Sequence, residues 1–151
     1  LLVIGNITDL PNSVQRHLAQ SMHTLSGNTG LTLVLALSYS GRWEITDAVK
    51  KMCVDAKSGK LDPDHIDACL VETYLATAAM PDPELLIRTS GERRISNFLL
   101  WQLAYTELYF TPVLWPDYRK EHFYEAIIDY QRRERRFGKV SENPRAVTLN
   151  N

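Results

Sequence analysis

The chain has 151 residues, 44% of them hydrophobic, which suits one globular domain with a single core. Its formal net charge of -1 and pI near 6.5 argue against a dedicated nucleic-acid partner or an anionic-membrane binder. No apolar run approaches the roughly 20 residues that cross a bilayer. The only cysteines, Cys53 and Cys69, have neither metal-site nor disulfide-rich spacing, which favours free thiols in a reducing, cytoplasmic compartment.

Apolar and polar segments alternate along the chain with the rhythm of repeated βα units. The strand predicted over residues 31–37 is apolar on both faces, as expected for a strand covered on both sides in a parallel sheet. The pattern therefore predicts an α/β fold with a mostly parallel sheet flanked by helices. In chain order the predicted elements are a strand over 1–7, a helix that begins at Pro11, the strand over 31–37, helices over 43–56 and 64–79, a strand over 85–87, and helices over 98–105 and 117–136.

The helix predicted over residues 43–56 has an apolar stripe that should face the core. Its members are Ile45, Ala48, Val49, Met52 and Cys53. The segment before it, 38–42, follows a predicted strand end, where ligands collect in open α/β sheets. A simple capped helix start remains the alternative for Arg42 and Trp43.

The densest group of chemically active side chains lies between the strand over 85–87 and the helix over 98–105. Arg88 follows the strand, and Glu92, Arg94 and Ser96 precede the helix. A strand, a basic loop and a helix N-terminus together bind anions, because N–H groups and the positive dipole end point at the ligand. Two guanidinium groups and a hydroxyl suit a diphosphate. The alternative is a capped helix with solvated arginines. Three roles are open for Glu92: it would orient Arg94, take part in the reaction, or form a simple ion pair.

Glu107 is a further candidate because it stands in an otherwise apolar and aromatic segment, 105–110. A carboxylate in such a setting must be paired, metal-bound or exposed at an edge, since burying it alone is costly. The sequence by itself favours the exposed position. The four histidines show no metal-binding spacing.

Three segments carry a resemblance to a known family. LLIRTSGERRISNFLLWQLAYTELYFTPVLWPDY, residues 85–118, closely resembles the C-terminal signature of the cis-prenyltransferases, specifically the undecaprenyl diphosphate synthases. LTLVLALSYSGRWEI, residues 31–45, is similar to that family's central strand and glycine–arginine turn, except for the serines at Ser38 and Ser40. RRERRFGK, residues 132–139, is similar to its arginine-x-glycine tail. The family's opening aspartate-glycine-asparagine-glycine-arginine-tryptophan motif does not occur in this chain.

The resemblance implies the C-terminal portion of a single cis-prenyltransferase domain over residues 1–151, and the apolar start at Leu1 leads us to expect a fragment. It implies repeated condensation of isopentenyl diphosphate onto farnesyl diphosphate, giving undecaprenyl diphosphate for the cell-wall lipid carrier. The catalytic aspartate would lie upstream of Leu1, with Glu92 as a further catalytic candidate, so this chain alone should be inactive. The implied substrate and metal residues are Arg88, Arg94, Ile95 (through its backbone) and Ser96 for the isopentenyl diphosphate, and Glu107 for Mg²⁺.

The same resemblance implies a homodimer in which the tail motif, residues 136–138, reaches toward the neighbouring active site. It implies a cytoplasmic protein that contacts the membrane peripherally through its lipid product. Two other functions stay open. One is a non-catalytic accessory subunit of a heteromeric cis-prenyltransferase, although such subunits tend to lack the loop arginines. The other is a generic phosphate-binding or nucleic-acid-binding α/β domain, which the near-neutral charge opposes.

Overall fold

The computed structural model describes residues 1–133, which fall into two compact units. The first contains Leu1–Pro83 and Arg94–Ala104, and the second contains Glu84–Arg93 and the described residues from Tyr105 onward. The strands and helices, in chain order, are β1 (Leu2–Ile4), α1 (Asn12–Leu25), β2 (Val34–Ala36), α2 (Gly41–Lys57), α3 (Ala68–Tyr74), β3 (Leu85–Arg88), β4 (Glu107–Phe110) and α4 (Lys120–Gln131).

Each unit contains one parallel pair of strands, so the predicted α/β class with parallel strands and flanking helices is confirmed. In the first unit β1 pairs with β2, and Val3 lies opposite Leu35. In the second unit β3 pairs with β4, and Leu85 lies opposite Glu107. Parallel neighbours need a crossover connection, which the long chain segments between paired strands provide. Within residues 1–133 no helix is long and apolar enough to cross a membrane.

The core of the first unit lies along one face of α2. The residues of α2 that are buried are Gly41, Glu44, Ala48 and Met52, at the three- and four-residue spacing of a single helix face. Ala48 and Met52 were predicted to face the core. Ile45 is half-buried. The prediction was wrong for Val49 and Cys53, because the buried face runs through Glu44 and leaves these two residues exposed.

Several predicted elements are shorter in the structure. The strand predicted over 31–37 is limited to Val34–Ala36, and Leu31 is 93% exposed. Val34 and Leu35 are half-buried and Ala36 is exposed, so the expected burial of both faces of this strand is not seen there. The helix predicted over 64–79 is limited to α3. It begins where the Asp67 carboxylate accepts a hydrogen bond of 2.8 Å from the Leu70 N–H, which is a side-chain N-cap.

The helix predicted over residues 98–105 was wrong. Ser96, Asn97 and Leu99 have φ angles of 47°, 61° and 44°, whereas an α-helix needs φ near −63°. Only a 3₁₀ turn, Gln102–Tyr105, forms there. The cause is tertiary: the Asn97 carbonyl accepts the Gly41 N–H at 2.7 Å, and its side chain accepts the Arg42 N–H at 3.0 Å. The segment thus leaves helical geometry to satisfy the first turn of α2.

In the second unit, the sequence did not indicate β4, because a glutamate and a threonine interrupt the apolar pattern at its start. Helix α4 begins at Lys120, later than the predicted 117, since Trp115–Asp117 forms a 3₁₀ turn around Pro116. The end of the predicted helix, 134–136, and the tail motif lie outside the described residues.

Candidate functional site

The loop after β3 is fastened to the loop after β4 by backbone hydrogen bonds. The Ser90 N–H donates to the Val113 carbonyl at 2.8 Å, and the Gly91 N–H donates to the Thr111 carbonyl at 2.9 Å. Ser90 and Gly91 have φ angles of 70° and 73°, so the chain reverses sharply there. The second unit therefore holds a rigid turn at the carboxyl ends of its parallel strands, where ligands collect in α/β folds.

Arg88, the last residue of β3, forms an ion pair with Glu92 inside this turn. The simple ion pair expected for Glu92 is thus present, and its partner is Arg88. Both side chains are half-buried, so the pair is screened less than a surface pair. Arg88 donates to Glu92 through Nη2, and this contact fixes the orientation of the guanidinium.

The remaining loop residues of the predicted diphosphate site, Arg94, Ile95 and Ser96, belong to the first unit. Arg94 and Ser96 are exposed, and Ile95 closes a turn by accepting the Phe98 N–H at 3.0 Å. No α-helix begins after Ser96, so the anion-binding helix N-terminus predicted there is absent. The neighbouring helix start is that of α2, whose first N–H groups are taken by Asn97. Only the positive end of its dipole remains to favour an anion.

A close approach at Gly41 brings residues 96–100 against the start of α2. A Cβ atom at this position would lie 2.7 Å from Leu100 Cγ and 2.9 Å from the Leu100 nitrogen. Such distances leave room for glycine alone. Ser40 completes the helix start, because its hydroxyl accepts the Trp43 N–H at 3.3 Å. The capped helix start that was the alternative for Arg42 and Trp43 is therefore what the structure contains.

Glu44 is a buried carboxylate that the sequence did not indicate. It is 2% exposed and accepts hydrogen bonds from Tyr39 Oη at 2.5 Å, from the Ala76 N–H at 3.0 Å and from Gln102 Nε2 at 3.0 Å. Gln102 Nε2 also donates to Thr77 Oγ1 at 2.7 Å. Burial, reinforced by the hydrogen bond to Glu44, raises the pKa of Tyr39 well above its usual value. One carboxylate thus joins three segments of the first unit.

Glu107 is the first residue of β4, and its carboxylate is paired. Its Oε2 accepts a hydrogen bond of 2.8 Å from Arg133 Nη1, and the side chain is 33% exposed. Arg133 also donates to the Leu108 carbonyl at 3.0 Å, and through Nε and Nη2 to Asp129 Oδ2 at 2.9 and 2.5 Å. The hydrogen bond to Glu107, with that to Asp129, raises the pKa of Arg133. The structure therefore makes Glu107 part of an ion network, not an isolated exposed edge residue.

The strand register separates Arg88 from Glu107. Arg88 lies opposite Phe110 and Glu107 lies opposite Leu85, so the two stand at opposite ends of the strand pair. Three residue steps of about 3.3 Å put roughly 10 Å between these ends. The structure therefore does not place these two side chains at one point of the second unit.

The donor chemistry of Glu107 fits a magnesium ion that is shared with a substrate. Among residues 1–133, no three or more histidine, cysteine or carboxylate side chains converge as a metal-binding group. Mg²⁺ is often held by one or two carboxylates together with substrate phosphates. Within that described part, Glu107 makes its contact through Oε2, which leaves Oε1 as an oxygen to offer a cation.

The fold and the turn at its strand ends define an α/β protein with an arginine-rich, candidate phosphate-binding loop. The family model described as "Putative undecaprenyl diphosphate synthase" matches residues 1–138. The chain belongs to this prenyltransferase family, and the resemblance drawn from the sequence is confirmed.

Named relatives agree with that assignment. The chain is 53% identical over 142 residues to an isoprenyl transferase of Porphyromonas gingivalis, covering 94% of this chain and 56% of that protein. It is 49% identical over 142 residues to a ditrans,polycis-undecaprenyl-diphosphate synthase ((2E,6E)-farnesyl-diphosphate specific) of Pasteurella multocida, covering 94% of this chain and 59% of that protein. The chain thus spans little more than half the length of these relatives.

Solved structures share the fold. A lavandulyl diphosphate synthase from Lavandula x intermedia, in complex with dimethylallyl diphosphate, matches with a TM-score of 0.89 and 40% identity. The match covers 91% of this chain and 59% of that one. A probable undecaprenyl diphosphate synthase from Campylobacter jejuni matches with a TM-score of 0.76 and 31% identity, over 91% of this chain and 62% of that one.

Proposed function

We propose that the polypeptide carrying this chain is a cis-prenyltransferase that condenses isopentenyl diphosphate repeatedly onto farnesyl diphosphate. The observation that carries the proposal is the family match over residues 1–138, which includes the whole arginine-rich loop. A relative named for farnesyl diphosphate supports the choice of allylic substrate. The product would be an undecaprenyl-type diphosphate that serves as a lipid carrier in cell-wall synthesis.

In this proposal the loop binds the diphosphate of isopentenyl diphosphate. Arg88 and Arg94 supply charge-assisted N–H donors, and Ser96 and the Ile95 N–H supply neutral donors. The ion pair with Glu92 holds Arg88 in one orientation, so less side-chain entropy is lost when a phosphate binds. The rigid turn at Ser90 and Gly91 would keep the first arginine in place through successive additions.

Each condensation joins two substrates and releases one diphosphate. The homoallylic double bond attacks the first carbon of the allylic substrate, whose carbon–oxygen bond breaks. A proton then leaves the homoallylic unit, and the new double bond is cis. Positive groups aimed at the allylic diphosphate would stabilise the negative charge that develops on it as it leaves, while the loop arginines hold the diphosphate of isopentenyl diphosphate, which stays in the product. The proton acceptor and the catalytic aspartate are not assigned to residues of this chain.

We also propose that Glu107 helps to hold Mg²⁺ through its carboxylate. When bound, the ion would neutralise phosphate charge. Its other ligands would be phosphate oxygens, water and groups that this chain does not supply.

The remaining proposals concern the whole protein. We infer a homodimer in the cytoplasm that meets the membrane peripherally through its lipid product, with residues 1–151 as the C-terminal portion of one domain. The 151-residue chain alone should form no product, because it spans little more than half of its relatives and lacks the aspartate motif. The loop arginines and Glu107 argue against an accessory, non-catalytic subunit.

The loop assignment is tested by Arg94→Ala in the complete polypeptide. Losing one charge-assisted contact costs about 1.5–3 kcal/mol, which is a rise of roughly 10- to 150-fold in the Michaelis constant for isopentenyl diphosphate. The matched control is Arg93→Ala, which removes the same charge from the adjacent exposed position. Steady-state kinetics in which both variants keep the original constant would remove Arg94 from the site.

A further inference from the structure

Arg133, two residues after the end of α4, joins two carboxylates that belong to different elements of the second unit. One is Glu107 of β4, and the other is Asp129 of α4. We propose that Arg133 is a positioning residue for the metal-binding carboxylate of Glu107, and that Asp129 holds Arg133 in place and balances its charge. This inference rests on the proposed role of Glu107 in binding Mg²⁺.

The geometry fixes the Glu107 carboxylate through one oxygen. Arg133 Nη1 donates both to Glu107 Oε2 at 2.8 Å and to the Leu108 carbonyl at 3.0 Å. Nη1 of Arg133 thus donates both to the side chain of Glu107 and to the backbone of the next residue, Leu108. The carboxylate can then swing little about its side-chain bonds, and Oε1 keeps one direction. A cation would meet an oriented ligand, and less side-chain entropy would be lost on binding.

The other edge of the guanidinium is also occupied, because Nε and Nη2 both donate to Asp129 Oδ2 at 2.9 and 2.5 Å. Asp129 lies four residues before Arg133 on the same stretch of helix and turn, so the pair forms locally. The planar, delocalised guanidinium holds this two-sided arrangement, which the point charge of a lysine cannot reproduce.

The charges of the trio favour a cation at Glu107. Two carboxylates and one guanidinium leave a net charge of −1 at neutral pH. If Glu107 were the sole partner of Arg133, the guanidinium would cancel the negative charge of Glu107, and Glu107 would attract a metal poorly. Asp129 supplies the counter-charge instead. All three side chains are partly buried, so solvent and salt screen this balance less than they screen a surface pair.

Two other roles would use the same contacts, and metal affinity separates them from positioning. If the trio only fastens α4 to β4, loss of Arg133 lowers stability and leaves metal affinity unchanged. If Arg133 competes with the metal for Glu107, its loss tightens metal binding. Positioning alone predicts weaker binding, because groups that orient a ligand typically affect metal affinity by 10–100-fold.

The experiment measures Mn²⁺ binding to the complete polypeptide by electron paramagnetic resonance of the free ion, without substrate. Arg133→Met should weaken Mn²⁺ binding about 10-fold. Arg132→Met, which removes the same charge from the adjacent exposed residue, should stay within about twofold of the original protein. Glu107→Gln should abolish this binding, and adding Arg133→Met to it should change nothing further.

Variants that keep the fold complete the test. Circular dichroism checks that each protein is folded. If Arg133→Met does not fold, Arg133→Lys and Asp129→Asn take its place. Each of these two variants should weaken Mn²⁺ binding several-fold. Unchanged or tighter Mn²⁺ binding in these folded variants would overturn the positioning role, and so would an unaltered affinity in Glu107→Gln. Prenyl transfer by the unaltered protein is measured separately, so failure of the positioning role does not count as failure of the proposed function.

Discussion

Replacing Glu44 should damage the first unit more than any surface change, because three hydrogen-bond donors converge on its buried carboxylate. Glu44→Ala leaves Tyr39 Oη, the Ala76 N–H and Gln102 Nε2 without this acceptor. Each lost partner of a buried polar group costs about 1–3 kcal/mol. The three costs are not additive, because water can enter the space that the side chain leaves. We expect a loss of about 3–5 kcal/mol in the free energy of unfolding, which is at the upper end for a single substitution.

Urea unfolding followed by circular dichroism measures this loss, with two comparison variants. Glu44→Gln keeps the shape but turns an N–H₂ group toward at least one donor, so its cost should be about 2–3 kcal/mol. Asp47→Ala lies on the same helix and breaks an exposed ion pair with Lys51, so it should cost less than about 1 kcal/mol. If Glu44→Ala costs no more than Asp47→Ala, the network does not support the unit and the reasoning is wrong.

Two further predictions concern the same unit. Gly41→Ala should lower the free energy of unfolding by about 1–3 kcal/mol, because its Cβ would press on the Leu100 backbone nitrogen. Gly27→Ala, which has open space around it, should change that free energy by less than about 0.5 kcal/mol. Equal effects of the two substitutions in thermal unfolding would contradict the close approach at Gly41. Because the pKa of Tyr39 is raised, the folded state favours the neutral phenol. The stability that Tyr39 contributes is therefore intact below pH about 10 and falls as the pH rises further. The fall is at most about 1.4 kcal/mol per pH unit for this one group. Tyr39→Phe should flatten that fall in urea unfolding between pH 9 and 11.5, and an unaltered slope would rule out this contribution.

The sequence predicts those parts of the fold that short-range pattern determines. The apolar run before Arg88 indicates β3 because a buried strand shows few polar residues. Pro11 indicates the start of α1, which it directly precedes, because its fixed φ suits the entry to a helix. The resemblance over 85–118 identifies the family because its arginines, serines and glycine stand at fixed spacings in one continuous segment.

Features that depend on distant contacts were not predictable. The left-handed angles at Ser96 and Asn97 contradict the helical pattern of residues 98–105, and they arise from hydrogen bonds to α2, more than fifty residues away in the chain. Burial of Glu44 contradicts the ordinary preference of a glutamate for solvent and depends on donors from three segments.

The same holds for the candidate site. An ion pair of Glu92 could be expected because it stands in a basic loop, but the sequence did not single out Arg88 as its partner. The pairing of Glu107 with Arg133 joins residues 26 positions apart, and no local pattern indicates it. A basic residue near the end of a predicted helix usually interacts with the helix dipole or with solvent. The position of Arg133 in the sequence therefore gives no sign of a carboxylate partner.

The most direct test of the central claim is prenyl transfer by the complete polypeptide. The protein is incubated with farnesyl diphosphate, radiolabelled isopentenyl diphosphate and Mg²⁺, and the extracted lipids are separated by chain length. We predict a long-chain polyprenyl diphosphate whose added units are all cis by nuclear magnetic resonance, and no product from residues 1–151 alone. Folded protein that leaves the label in isopentenyl diphosphate, or that adds trans units, would contradict the proposed function.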